Sequence, residues 1–304
     1  MTDNQVILPD GPWDHRSVYA HGARFHVAVQ GEGPLILFVH GFPTFWWLWR
    51  KFLGPISELG FTAAAMDMRG YGATDHPPRG YDPRTLAADV SGVIRALGHE
   101  SAIIVGHGVG GLIAWTAATL QSQVVRGIVS ISGAHPNALR AAMLSNPAQA
   151  RALSYALNFQ RPWIAERSLQ RNHALAIADL LNQWLAPSKL PEDVSQTYRD
   201  AFMLGNTAHC AIEFHRWAIR SIPRSDGRRF AVDMQGGVSV PVLQIHGKND
   251  TSILVETAMD SAQWINGAWS PVTLDAGHLL PEECPDDVIH ALTNWLTTNF
   301  SENQ

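Results

Sequence analysis

Apolar and polar residues along this chain alternate between two periods. Short continuous apolar runs, the mark of strands buried on both faces, stand at 34–40, 62–68, 101–105, 124–132 and 241–246, and a further strand is expected at 270–275. Helical patterns separate them: an aromatic stretch at 44–53, a helix that Asp82-Pro83 opens and Gly98 ends, an apolar helix at 112–120, another near 257–264 and a closing one at 285–299. Two further short strands, 17–20 and 24–30, flank His21-Gly22 and predict a hairpin. Strand–helix alternation with glycine-ended strands predicts an α/β fold whose mostly parallel central sheet is covered by helices on both faces.

The alternation breaks from about residue 136 to 224. That stretch is helical in period, rich in Ala, Leu, Arg and Trp, and holds no convincing strand. An insert of this length between two α/β blocks can roof the carboxyl edge of the sheet, where open α/β sheets bind ligands. The expected organisation is a core of residues 1–135 and 226–304 with a helical cap, or lid, at 136–225.

Composition narrows the function classes. With 304 residues, 46% of them apolar, the chain can bury one large core plus the insert. A net charge of −5 leaves no basic footprint for nucleic acid. Cys210 and Cys284 form neither a CxxC pair nor a disulfide framework and fit a reducing compartment. Met1-Thr2-Asp3-Asn4-Gln5 resembles no signal peptide, and no apolar run is long enough to span a membrane. A soluble, cytoplasmic protein is expected.

The chemistry centres on Ser101-Ala102-Ile103-Ile104-Val105-Gly106-His107-Gly108-Val109-Gly110-Gly111. Strand, glycine-packed turn and helix follow each other with the G-x-N-x-G spacing of a nucleophile elbow, and Gly108 occupies the N position. From about Trp13 to Phe300 the chain resembles the epoxide-hydrolase branch of the α/β-hydrolases. His40-Gly41-Phe42-Pro43-Thr44-Phe45-Trp46-Trp47-Leu48-Trp49-Arg50 matches that branch's HGFP-x-x-W-x-x-W-R run. Asp67 to Asp75 matches its D-x-R-G-Y-G-x-S/T-D loop, and the segment from Tyr155 to Pro162 is similar to the one carrying the first of two lid tyrosines.

The resemblance implies a role for each matching residue. Asp250, in His246-Gly247-Lys248-Asn249-Asp250, stands where the family's acid stands, and His278, in Asp275-Ala276-Gly277-His278, where its histidine stands. A carboxylate on the far imidazole nitrogen fixes the tautomer and leaves the near nitrogen free to take a proton. The backbone N–H groups of Phe42 and Val109 would form an oxyanion hole. His40, Trp46, His107, Tyr155 and His215 are the expected pocket residues. Two parts of the machinery are missing: Gly108 has no attacking atom, and His215 stands where the branch has its second tyrosine. Arg69 and Asp75 are read as electrostatic braces of their loop.

Three readings remain open at the level of sequence. The Asp250–His278 pair activates water or abstracts a proton, without a covalent intermediate; the chain is a binder or scaffold that kept the pocket; or it is an epoxide hydrolase disabled at residue 108. Aromatic residues such as Phe45, Phe159 and Trp163 point to a small apolar ligand. No cofactor is expected, since no phosphate loop or dinucleotide fingerprint is present. No metal is expected either, because His40 and His107 are ordinary family positions.

Overall fold

Strand pairing gathers the apolar runs into one eight-stranded sheet. The computed structural model describes residues 6–185 and 188–300. Its strands are β1 (Asp14–Ala20), β2 (Ala23–Gln30), β3 (Leu35–Val39), β4 (Thr62–Met66), β5 (Ala102–His107), β6 (Val125–Ile131), β7 (Val242–Gly247) and β8 (Trp269–Leu274), in the order β1-β2-β4-β3-β5-β6-β7-β8. The predicted hairpin is the antiparallel pair β1–β2. β2 also runs antiparallel to β4, and every later pairing is parallel. Every residue of β3, β4 and β5 is buried, which is why these runs show no alternation.

The strand order reverses at β3. The chain steps out to β4 and returns to lay β5 on β3's other side, with Val39 beside Gly106. Such a reversal opens a crevice above the carboxyl ends of the two strands. The core helices are α1 (Arg50–Glu58), α2 (Pro83–Ala96) and α3 (Val109–Leu120). As predicted, Asp82 caps α2, accepting from the backbone N–H groups of Arg84 and Thr85. The stretch expected as one helix at 44–53 is instead a 3-10 turn, Trp46–Trp49, running into α1. Side chains three apart eclipse in a 3-10 turn, which sets the fully buried Trp46 and Trp49 on the same side.

Between β6 and β7 run α4 (Pro136–Ser145), α5 (Pro147–Ala152), α6 (Tyr155–Asn158), α7 (Ile164–Trp184), α8 (Glu192–Met203), α9 (Thr207–Arg220) and α10 (Ser225–Asp233). No strand interrupts them among the described residues. α7 is broken at Arg171–Ala174, where Asn172, His173 and Ala174 have φ of 51°, 54° and 52°. The carbonyl freed at His173 accepts from Arg199 Nε of α8 at 2.8 Å, which offsets part of that strain. After β7 come α11 (Val255–Met259), followed by a 3-10 turn where one helix at 257–264 was expected. After β8 come α12 (Leu280–Glu283) and α13 (Pro285–Phe300).

A buried carboxylate fastens these helices to the sheet. Glu282 of α12 accepts from Arg50 Nη1 and Nη2 at 2.5 and 2.9 Å, and Tyr198 of α8 donates its hydroxyl to Glu282 Oε1 at 2.5 Å. Arg50 also lies 3.6 Å over the Trp47 ring. Removing Arg50 leaves the buried Glu282 with the more exposed Lys51, 3.7 Å away, as its cationic partner. Arg50→Ala should therefore destabilise the fold by about 3 kcal/mol in urea denaturation, and Tyr198→Phe by only about 1 kcal/mol.

Candidate active site

The turn from β5 into α3 sets the site's geometry. Gly108 caps α3 with φ 54° and ψ −113°, a conformation that residues with side chains rarely adopt. A Cβ on Gly106 would lie 2.1 Å from the Gly110 carbonyl oxygen, and one on Gly110 would lie 2.1 Å from that of Val39. Glycine at both positions lets the helix start press against the ends of β5 and β3. Position 108 itself is open. A Cβ there would meet nothing nearer than His278 Nε2, at 3.4 Å.

His278 faces that position from the loop after β8. Its Nδ1–H donates to Asp250 Oδ2 at 2.7 Å, so Nε2 carries the lone pair and points toward Gly108. Asp250, from the loop after β7, is fully committed: Oδ1 accepts the backbone N–H groups of Ser252 and Ile253 at 2.7 and 2.9 Å, and His246 Nε2 lies 3.2 Å from Oδ2. Burial alone would raise its pKa, but His278 and the hydrogen bonds from His246 and His278 hold it well below the ordinary carboxylate range. The pair is a permanent carboxylate orienting an imidazole.

Above the pair lies an apolar cavity of about 350 Å³. Phe42, Gly108, Val109, Tyr155, Trp184, His215 and His278 line its inner end. Tyr155 and His215 come together there, with ring centroids 6.0 Å apart, although 60 positions separate them in the chain. Burial raises the pKa of Tyr155, keeping the phenol protonated, and lowers that of His215 to about 4, so this ring is neutral at pH 7. Val109 is the first residue of α3, and a helix leaves its first N–H groups without intrahelical acceptors.

Three expected pocket residues lie elsewhere. Trp46 turns from the cavity toward the start of the chain, donating Nε1–H to the Ile7 carbonyl at 2.7 Å and packing on Trp13 and His26. His40 accepts the Met68 N–H at Nε2, 3.0 Å away, and burial lowers its pKa to about 4. His107 lies beneath His278, donating Nε2–H to that residue's own carbonyl at 2.9 Å. Both histidines support the site from below. Arg69 braces its loop through Asp89 (2.6 and 2.7 Å), and Asp75 through Arg24.

Sequence reasoning missed the supports that come from the inserted helices. The Trp184 carbonyl accepts the His278 N–H at 2.8 Å, and its indole packs on the His278 ring at 4.8 Å between centroids. The buried Gln149 amide bridges the Asp250 loop, donating to the Ser252 carbonyl and accepting from the Leu254 N–H. No local pattern marks either residue, because the acceptor and donor lie about 100 positions away.

A family model described as the alpha/beta hydrolase fold matches residues 34–285. The chain belongs to the α/β-hydrolase fold family. It is similar to AB hydrolase superfamily protein YfhM of Bacillus subtilis, 29% identical over 94% of this chain and 97% of that one. Human Epoxide hydrolase 4 is 29% identical over 88% of this chain and 74% of its own length. Among solved structures, an epoxide hydrolase from Bacillus megaterium superposes with a TM-score of 0.81 at 25% identity, covering 93% of this chain and all of that one. The relatives of this α/β-hydrolase thus include epoxide hydrolases, and no described helix is long and apolar enough to cross a membrane.

Buried neutral histidines make the hydrolase core acid-sensitive. Burial lowers the pKa values of His107 and His135 to about 3, beside about 4 for His40 and His215. Unfolded histidines titrate near 6.5. Between that value and about 4 the unfolded chain binds protons that the folded chain does not, so stability falls as the pH is lowered. The urea midpoint should drop from pH 7 to pH 5, as the free energy of unfolding falls with each proton that the unfolded chain alone binds.

Proposed function

We propose that this chain is an epoxide-hydrolase-like hydrolase of small apolar substrates in which Gly108 replaces the elbow nucleophile and water, activated by Asp250 and His278, attacks directly. The observation that carries this reading is the His278 Nε2 lone pair facing the open side of Gly108, with Asp250 on the opposite nitrogen. A water at the absent Cβ position would overlap the Gly108 Cα, so the attacking water lies to the side of that line, within hydrogen-bonding range of Nε2.

In the proposed step, His278 Nε2 takes a proton from water as the water oxygen bonds to an epoxide carbon. The carbon–oxygen bond of the ring breaks, and the released oxygen takes its proton from the Tyr155 hydroxyl, which regains one from the imidazolium through solvent. Asp250 stabilises that imidazolium without being protonated. A neutral His215 offers the same oxygen a ring N–H in place of a second phenol. The N–H groups of Phe42 and Val109 are the candidate donors for an oxygen held at the Gly108 position.

A second reading, a binder that kept the cavity and lost the chemistry, is favoured by the departures at Gly108 and His215 together. One variant separates the two. With a reactive aryl epoxide, the wild-type protein should form diol without any covalent adduct in intact-mass spectra, and His278→Ala should lower the rate by ~10²-fold or more. A diol rate unchanged in His278→Ala would leave the binder reading standing.

Restoring the nucleophile tests the lid assignment. Gly108→Asp should give an alkyl-enzyme ester, seen as a mass increase equal to the epoxide. It should also cost about 1–3 kcal/mol of stability from the strained backbone. Adding His215→Tyr should raise adduct formation by ~10-fold or more. A folded double variant that forms no adduct would remove Tyr155 and His215 from the proposed site.

A further inference from the structure

The inserted helices leave an apolar face in solvent around the mouth of the cavity. Leu144 (68% exposed), Leu157 (60%) and Ile222 line the cavity and are also exposed, so its apolar wall continues onto the outer surface. Beyond Leu157 the chain presents Trp163 and Ile164 to water as well. Trp163 is held there against strain. Its φ of 68° and the 2.7 Å bond from the Ile164 N–H to the Pro162 carbonyl make it the centre of a γ-turn, in a left-handed conformation costly for a bulky residue. The segment is also fastened from below. The buried Arg216 of α9 donates from Nε to the Phe159 carbonyl at 2.7 Å and from Nη2 to the Arg161 carbonyl at 3.4 Å.

The stretches that form this face carry positive charge. Residues 136–167 and 217–236 hold eight arginines against three carboxylates, a net charge of +5, which leaves −10 for the rest of the chain. Each of those carboxylates has a cationic partner: Glu166 meets Arg216 at 2.8 Å, Asp226 meets Arg224 at 3.3 Å, and Asp233 meets Arg84. Arg161 and Arg167 flank Trp163, both exposed, and among the described residues no carboxylate comes within 4.0 Å of either guanidinium. Arg220, also exposed, donates Nε–H to Gln160 Oε1 at 3.1 Å and joins the end of α9 to this segment. Two copies of such a face repel each other, and a small aqueous anion leaves the tryptophan uncovered. A lipid surface of negative charge satisfies both features.

We infer that this face docks on an anionic lipid bilayer, with Trp163 and Ile164 entering the headgroup region and Arg161, Arg167 and Arg220 meeting the lipid anions. An indole suits that depth, since its ring is apolar while its N–H still reaches water and headgroups. The acidic remainder of the chain is repelled by the same surface, which orients the protein with the cavity mouth toward the bilayer. The inference concerns binding and is independent of any chemistry at His278.

Co-sedimentation of the full chain with lipid vesicles tests it. Vesicles of phosphatidylcholine with about one third phosphatidylglycerol should bind the protein roughly tenfold or more tightly than phosphatidylcholine alone, with an affinity that falls as salt is added. Trp163→Ala should weaken binding about tenfold, and Arg161→Gln about fivefold on the anionic vesicles. Tyr19 and Trp163 are equally exposed, at 78%, but Tyr19 lies on β1 in the acidic part of the chain, so Tyr19→Ala should bind as the wild type does. Circular dichroism reports that each variant is folded; should Trp163→Ala unfold, Ile164→Ser tests the same insertion, with a loss of about fivefold expected. Failure of the wild type to bind anionic vesicles, or a loss as large for Tyr19→Ala as for Trp163→Ala, would overturn the inference. So would a wild-type dimer in light scattering that Trp163→Ala converts to monomer, because a second copy would then cover this face. His278→Ala should leave vesicle binding unchanged whatever it does to hydrolysis, which separates failure here from failure of the proposed reaction.

Discussion

The close approach of α3 to the ends of β3 and β5 is the constraint on which the remaining geometry rests. With the Gly110 Cα pressed on the Val39 carbonyl and the Gly106 Cα on the Gly110 carbonyl, the chain has no room for side chains at either glycine. The turn between them therefore folds with Gly108 at φ 54°, and its tip projects above the sheet where the strand order reverses. The same compression puts the N-terminus of α3 and the Phe42 loop side by side at the cavity floor. A residue with a side chain at 108 would store strain there. Glycine holds the same backbone shape at lower cost.

The inserted helices do more than cover this floor. Gln149 holds the loop carrying Asp250, Trp184 holds the backbone of His278, and Tyr198 joins the Glu282–Arg50 pair four residues beyond His278. The orientation of the dyad thus depends on contacts from three separate cap helices. The break in α7 belongs to the same arrangement. It lets one helical run reach from the exposed segment at Ile164 back to Trp184 above the histidine while its freed carbonyl is bonded by Arg199.

The inner end of the cavity is mostly apolar. Neutral His215 and protonated Tyr155 keep the inner end uncharged apart from the oriented pair, so an approaching apolar chain meets no ion that must be desolvated.

Much of this was legible in the residues alone. Unbroken apolar runs ending in glycine determined the parallel sheet, Asp82-Pro83 determined a helix start, and the spacing of Gly106, Gly108 and Gly110 determined a tight strand-to-helix turn, because each follows from local sterics and period. Only the tertiary structure decided which buried aromatic or histidine meets the cavity. Trp46 and His40 are as buried as any pocket residue, yet one packs toward the start of the chain and the other ties down the Met68 loop. Periodicity reports that a side chain is buried and is silent on which neighbour buries it. The same limit hid Gln149 and Trp184, whose partners come from chain segments far away in sequence and are brought near only by the packing of the inserted helices on the sheet.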